Sequence, residues 1–138
     1  MRIVLDTNIL LQSLAHRSTS RPIWDAFLHE KVTLILTTSI LLEYQEIIAQ
    51  RASEQVANNV IVLLSESINS KFIDIYYEWN AITKDVDDNK FFDAAVAGNA
   101  DYLVSNDSHF NEAIELEFPK INIVNATAFL KIIKEIDT

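Results

Sequence analysis

Short runs of consecutive apolar residues constrain the fold of this chain more than any other feature of its sequence. Such runs predict strands over residues 2–5, 32–37, 72–76, 102–105 and 121–124. Between them, apolar residues recur at helical spacing, as in the segment that contains Ile40, Tyr44 and Ile47. Strands that are apolar on both faces are typical of a parallel sheet with helices packed on each side. The pattern therefore predicts an α/β fold in three layers, α/β/α, around a mostly parallel central sheet.

The segments between the strands are predicted to be helices. Thr38 or Ser39 is expected to cap the third of them, which ends near Arg51. No internal repeat or linker is visible, so we predict a single domain over residues 1–138. The predicted helices cover residues 9–14, 23–30, 40–51, 53–69, 88–99, 109–116 and 126–135.

The composition excludes several classes of protein. The chain has no cysteine, which rules out disulfides, a catalytic thiolate and a thiolate zinc site. The apolar start is too short for the core of a signal peptide, and no apolar run approaches the roughly 18–20 residues of a membrane-spanning helix. We therefore expect a soluble, cytoplasmic protein that does not associate with membranes.

The net charge is −9, which is the wrong sign for a protein that binds nucleic acid passively. An enzyme tolerates this charge more easily, because bound metal ions invert the local field of clustered carboxylates. The total charge does not decide between these classes, so the positions of individual acids become the deciding feature.

Four acids lie in apolar surroundings, where a carboxylate needs an explanation: Asp6, Glu43, Asp93 and Asp107. Asp6 and Asp107 follow predicted strands, and Glu43 and Asp93 fall early in predicted helices. In a parallel α/β sheet the carboxyl ends of strands and the amino ends of crossover helices meet at one edge, where ligands bind. We therefore expect the four carboxylates to converge there.

Such a cluster needs neutralising cations. Two unit charges about 4 Å apart repel by about 4 kcal/mol at an effective dielectric near 20. Carboxylate oxygens favour the hard cations Mg²⁺ or Mn²⁺ over zinc or copper, and one or two such ions support phosphodiester hydrolysis. The acids thus indicate a metal-dependent phosphotransfer or nuclease site.

These residues resemble a known family, the PIN domains, and most closely their bacterial branch of VapC-like toxin components of toxin–antitoxin systems. The resemblance rests on Asp6-Thr7-Asn8 after the first strand, on Glu43, and on residues 87–107, DDNKFFDAAVAGNADYLVSND. It covers nearly the whole chain, and the last stretch is its most specific part.

The resemblance implies a metal-dependent endoribonuclease that leaves 5′-phosphate and 3′-hydroxyl ends. By position, Asp6, Glu43, Asp93 and Asp107 match the metal-binding and catalytic acids of the family, and Asp88 matches a further acid. Asn8 and Ser105 match polar residues that support the first and last aspartates. The resemblance also implies RNA as substrate, one or two Mg²⁺ or Mn²⁺ ions, a cognate antitoxin and a homodimer.

Simpler interpretations of the acids remain open at the level of sequence. These interpretations make Asp6 only a helix cap, Glu43 a solvated helix residue, and Asp107 part of a turn before His109. Asp88 suits a helix start whether or not it binds metal.

Two other functions also remain open. One is a Mg²⁺-dependent phosphatase with Asp6 as nucleophile, although Asn8 stands where that chemistry uses a second aspartate. The other is a non-catalytic PIN-like interaction module.

Overall fold

A five-stranded parallel sheet forms the centre of the molecule. The computed structural model describes residues 1–136; residues 137–138, the end of the predicted domain, lie outside the described part. In the described chain the strand order is β3-β2-β1-β4-β5, and every pair is parallel. This architecture confirms the predicted α/β class. The strands are β1 (Arg2–Leu5), β2 (Thr33–Leu36), β3 (Ser70–Phe72), β4 (Tyr102–Val104) and β5 (Ile123–Val124).

Helices connect the strands and pack against the sheet. None of those in residues 1–136 is long and apolar enough to cross a membrane. Two short 3₁₀ turns, at Val86–Asp88 and Ser108–Phe110, precede α5 and α6. The α-helices are α1 (Thr7–Leu14), α2 (Arg21–Leu28), α3 (Thr38–Arg51), α4 (Glu54–Glu66), α5 (Asn89–Ala97), α6 (Asn111–Ile114) and α7 (Ala126–Ile136).

The central strand β1 is buried on both faces, as its continuous apolar sequence requires. Ile3, Val4 and Leu5 are each at most 1% exposed, and the strand pairs with β2 on one side and β4 on the other. Burying this apolar surface is the main source of stability for the sheet. The burial of β1 also fixes the position of Asp6, the residue that follows Leu5.

The third strand was predicted two residues too late. The prediction was residues 72–76, whereas β3 is Ser70–Phe72 and α4 ends at Glu66 instead of residue 69. The register of β2 explains the difference. Leu36, the last residue of β2, pairs with Phe72, and the amide of Ile73 donates to the Leu36 carbonyl. Beyond that point no strand within residues 1–136 pairs with it.

The cap of α3 also differs from the prediction. Thr37 is the capping residue, and its hydroxyl accepts the amide proton of Ile40 over 3.1 Å. Thr38 and Ser39, the predicted caps, are the first two residues of the helix. Further on, the hydroxyl of the fully buried Tyr44 donates to the carbonyl of Leu5, which ties α3 to the end of β1.

Gly98, at the end of α5, packs against β2. A methyl group at this position would lie 2.7 Å from Ile35 Cδ1 and 2.8 Å from Ile35 Cγ2. Ile35 is fully buried, and close packing leaves it little room to move. We expect Gly98→Ala to lower the free energy of unfolding by about 1–3 kcal/mol, the usual cost of overpacking, as measured by urea denaturation.

The sign of this change separates packing from backbone effects. Gly98 has a negative φ of −86°, so alanine would ordinarily stabilise the chain there by about 0.4–1 kcal/mol through the unfolded state. Asn99→Gly is the control, because Asn99 has φ 52° and glycine relieves that conformation. A Gly98→Ala variant more stable than the wild type would contradict the packing described here.

Candidate metal centre

The candidate site lies where the strand order reverses, at the carboxyl ends of β1 and β4. In α/β folds the crevice at such a reversal is the usual place for a ligand. Asp6 directly follows β1, and Asp107 lies three residues beyond the end of β4. The amide of Asp6 donates to the carbonyl of Val104 over 3.1 Å, which joins the two strand ends. The sheet thus brings together two aspartates that are far apart in sequence.

Ser105 links these two aspartates. Its hydroxyl donates to the Asp6 carboxylate, and the Asp107 amide donates to the same hydroxyl oxygen over 3.0 Å. Ser105 is only 5% exposed, so these partners replace water. Asn8, the other residue expected to support the aspartates, is exposed. Within residues 1–136 no hydrogen bond joins its side chain to either of them.

Asp6 is a helix cap and a buried charge at once. Its Oδ1 accepts the amide proton of Ile9 over 2.9 Å at the start of α1. Burial raises the pKa of Asp6; hydrogen bonds from Ser105 and Ile9 oppose the rise, and the charges of Asp107 and Glu43 add to it. The capping role therefore accounts for one carboxylate oxygen but not for the neighbouring negative charges.

Glu43 reaches the same region from the second turn of α3. Its Oε2 accepts a hydrogen bond from the hydroxyl of Thr7, the residue after Asp6. Its Oε1 lies 2.5 Å from the ammonium of Lys90, near the start of α5. Both side chains of this ion pair are about one-fifth exposed, at 20% for Glu43 and 18% for Lys90. Glu43 is thus held by two other elements and is not a freely solvated helix residue.

A second group of acids surrounds His109. The imidazole Nδ1 lies 3.1 Å from Asp107 Oδ1, 3.4 Å from Asp88 Oδ2 and 3.7 Å from Asp85 Oδ2. Burial, followed by the charges of Asp85 and Asp107, raises the pKa of Asp88 to about 6. Both His109 Nδ1 and Asp88 Oδ2 are buried atoms without a hydrogen-bond partner in the described chain. Asp88, Asp85 and His109 offer ligand atoms close enough to share one cation.

Asp93 lies in different surroundings. Its Oδ1 accepts the backbone amide proton of Trp79 over 3.1 Å. Burial raises the pKa of Asp93, the Trp79 hydrogen bond opposes this, and the charge of Glu78 adds to it. In the described chain the acids whose charges act on Asp6 are Asp107 and Glu43, whereas the acid whose charge acts on Asp93 is Glu78.

Sequence reasoning gave little weight to three residues that the structure places in the site. Thr7 holds Glu43, Lys90 pairs with it, and His109 lies among the aspartates. Thr7 and Lys90 stand in the motifs quoted above, but only tertiary contacts reveal what they touch.

The donor atoms fit a divalent cation. Asp6, Glu43, Asp88 and Asp107 supply carboxylate oxygens, the ligands that Mg²⁺ and Mn²⁺ prefer, and His109 supplies a nitrogen that Mn²⁺ also accepts. In the described chain the contacts of Asp88 Oδ2 and His109 Nδ1 lack good hydrogen-bond geometry, and a cation would be a suitable partner for both atoms. No cysteine competes for a softer metal.

Comparison with protein-family models found a match to the PIN domain over residues 2–109. The chain belongs to the PIN-domain family. The matched region extends from β1 to His109 and so contains every residue of the candidate site. A comparison with curated proteins found no match.

Solved structures share the fold of this PIN domain. VapBC2 from Rickettsia felis, bound to a fragment of promoter DNA, aligns with TM-score 0.61 and 17% identity, covering 91% of this chain and 98% of the other. VapC20 from Mycobacterium tuberculosis, a toxin that cleaves the sarcin–ricin loop, aligns with TM-score 0.60 and 11% identity over 83% and 97%. FitAcB from Neisseria gonorrhoeae aligns with TM-score 0.58 and 18% identity over 91% and 98%.

The link through Ser105 gives a test of the candidate metal centre in this PIN domain. Ser105→Ala removes the donor to Asp6 and the acceptor for the Asp107 amide. Loss of a group that orients metal ligands typically weakens metal binding by about 10- to 100-fold, so we expect Mn²⁺ affinity to fall by this factor in isothermal titration. Ser108→Ala, at an exposed neighbour, is the matched control. Equal affinities in the two variants would show that Ser105 does not orient the ligands.

Proposed function

We propose that this PIN domain is a Mg²⁺- or Mn²⁺-dependent endoribonuclease and the toxin component of a toxin–antitoxin system. The observation that carries the proposal is the convergence of Asp6, Asp107 and Glu43. The three carboxylates come from separate elements, and the charges of Asp107 and Glu43 raise the pKa of the buried Asp6. An acid cluster at a strand-order reversal suits a divalent cation and a phosphodiester substrate.

Asp6, Glu43 and Asp107 are the proposed catalytic acids and metal ligands, and Asp88 is the proposed fourth carboxylate. Asp88 is favoured over Asp93 because its neighbours are Asp107 and His109, whereas Asp93 holds Trp79. The role of Asp93 as a metal ligand stays a prediction. One or two ions are compatible with this donor set.

The protein side chains contribute orientation and charge. Ser105 fixes the Asp6 carboxylate, and Thr7 fixes one oxygen of Glu43. These hydrogen bonds hold the ligand oxygens in place before the substrate arrives, which lowers the cost of organising the site. A bound Mg²⁺ or Mn²⁺ would supply an activated water at neutral pH and stabilise the charge that develops on the phosphate.

The proposed partners follow from the family. VapC20 is a toxin, and VapBC2 and FitAcB are among the structures that share the fold. We infer a cognate antitoxin protein that blocks the acid cluster, an RNA substrate and a homodimeric toxin. This function would place the chain in the cytoplasm, where RNA and antitoxin meet.

The first test replaces the acids one at a time. We expect Asp6→Asn, Glu43→Gln and Asp107→Asn each to lower the rate of RNA cleavage by at least about 10²- to 10³-fold, the usual loss when a group that stabilises the transition state is removed. Cleavage of a 5′-labelled single-stranded RNA is followed by gel electrophoresis in Mn²⁺ and in EDTA, and EDTA is expected to abolish it.

Glu46→Gln is the matched control for Glu43→Gln, because Glu46 is exposed on the same helix one turn later. It should cleave at the wild-type rate. Undiminished, metal-dependent cleavage by the Asp6 and Asp107 variants would refute the proposed site. A folded wild type that binds no Mn²⁺ would favour a non-catalytic interaction module, and a trapped phospho-aspartate at Asp6 would favour a phosphatase.

A second test decides between Asp88 and Asp93. We expect Asp88→Asn to weaken Mn²⁺ binding by about 10-fold or more, and Asp93→Asn to leave it within about 2-fold of the wild type, since an asparagine oxygen still accepts from Trp79. Isothermal titration measures both variants. The reverse result would make Asp93 the ligand and Asp88 a helix-start residue.

A further inference from the structure

Both carboxylate oxygens of Glu43 are engaged within the protein. Thr7 donates to Oε2, and the Lys90 ammonium lies 2.5 Å from Oε1. A hydroxyl donor can remain in place when its acceptor binds a metal through another lone pair. An ammonium cannot, because it is a cation and would repel the metal ion. Lys90 and a divalent cation therefore compete for Glu43.

Two carboxylates, those of Glu43 and Asp87, hold Lys90 through hydrogen bonds and charge. Asp87 Oδ1 lies 3.4 Å from its ammonium and is the second carboxylate partner. Burial alone would lower the pKa of Lys90, but Glu43, and then Asp87, outweigh burial and raise that pKa above its ordinary value. The side chain is a flexible four-carbon stem, so its charge can move several ångströms while α5 stays in place.

Lys90 also lines a cavity beside this ion pair. It has a volume of about 290 Å³, and its walls come from α5, from the turn before it and from residues 75–80. Lys90 is the one lysine or arginine among its lining residues, which also include Asp87, Asp93 and Glu78. A phosphate that entered this cavity would therefore meet negative walls and one cation.

Resting on the proposed nuclease function, we propose that Lys90 is a positioning residue for the substrate phosphate. Its ammonium pairs with Glu43; if that oxygen held a divalent cation, the ammonium would be free to turn into the cavity and bind an RNA phosphate. The net charge of the chain is −9. This exchange would make the Lys90 ammonium available to RNA only when a divalent ion is bound at the acids. Arg21, another basic residue, is engaged elsewhere by Asp25 and the carbonyl of Leu14.

The competition at Glu43 is tested by Mn²⁺ titration without RNA. We expect Lys90→Gln to bind Mn²⁺ about 3- to 10-fold more tightly than the wild type, because no ammonium has to be displaced. Lys131→Gln is the control with the same charge change; Lys131 lines a separate groove with residues of α2 and α7. Equal or weaker Mn²⁺ binding by Lys90→Gln would overturn the competition.

Lys90→Gln could also change the stability of the fold. Thermal unfolding with and without Mn²⁺ distinguishes such an effect from the competition at Glu43. In EDTA, Lys90→Gln should melt at a lower temperature than the wild type, because the acid cluster has lost its counter-cation. Saturating Mn²⁺ should remove that difference. A melting temperature that stays equally low with and without Mn²⁺ would indicate a structural role for Lys90 and overturn the proposal.

The phosphate contact is tested by the salt dependence of RNA cleavage. Each phosphate contact to a single strand contributes about 0.7 to the slope of log affinity against log salt. We expect Lys90→Gln to raise KM, to leave kcat less affected, and to lower the salt slope of kcat/KM by about 0.7. Lys90→Arg should restore the slope, since the charge is retained. An unchanged slope in Lys90→Gln would overturn the phosphate contact.

The Mn²⁺ titration and the salt dependence of RNA cleavage together separate the role of Lys90 from the proposed nuclease function. If the wild type binds Mn²⁺ but cleaves no RNA, the nuclease function and the phosphate contact both fail, whereas the titration still decides the competition at Glu43. If the wild type cleaves RNA and Lys90→Gln behaves like Lys131→Gln in both experiments, the nuclease stands and the role of Lys90 is refuted.

Discussion

Electrostatic repulsion among carboxylates at the end of β1 is the constraint on which the rest of the structure depends. Asp6 is placed there because an apolar strand, buried on both faces, ends at Leu5. The fold then adds the charges of Asp107 and Glu43 around a side chain with little access to water. Neighbouring groups offset this cost by donating hydrogen bonds or positive charge, and Ser105, Thr7 and Lys90 are those groups. A concentration of like charge around a buried carboxylate is common at functional sites.

The candidate site has two parts, Asp6 with Asp107 and Asp88 with His109, and they differ in how their side chains are held. Asp6 and Asp107 are fixed by the backbone of adjacent strand ends and by Ser105, so their separation follows from the sheet. Asp88 and His109 belong to short 3₁₀ turns and have atoms without hydrogen-bond partners.

The sequence predicted the fold class well because continuous apolar strands and helical spacing depend on local pattern. It misplaced β3, since the ends of that strand are set by the length of β2 and not by its own residues. The candidate site was predicted through Asp6, Glu43 and Asp107, which the topology gathers. Asp93 was predicted from its apolar neighbours, which reflect its place on the buried side of α5, where it accepts a hydrogen bond from Trp79. Its role as a metal ligand stays a prediction. Lys90 and His109 were undervalued because their importance lies in contacts between distant elements.

The bond from Ser105 to Asp6 spans 99 residues of sequence, nearly three-quarters of the chain. A chain that is still being synthesised cannot make this bond until β4 has left the ribosome and paired with β1. Incomplete or truncated products lack Asp107 and the strand that positions it, and so carry no assembled acid cluster. If the proposed function is correct, the topology thereby delays RNA cleavage until the chain has been synthesised beyond Asp107 and β4 has joined the sheet.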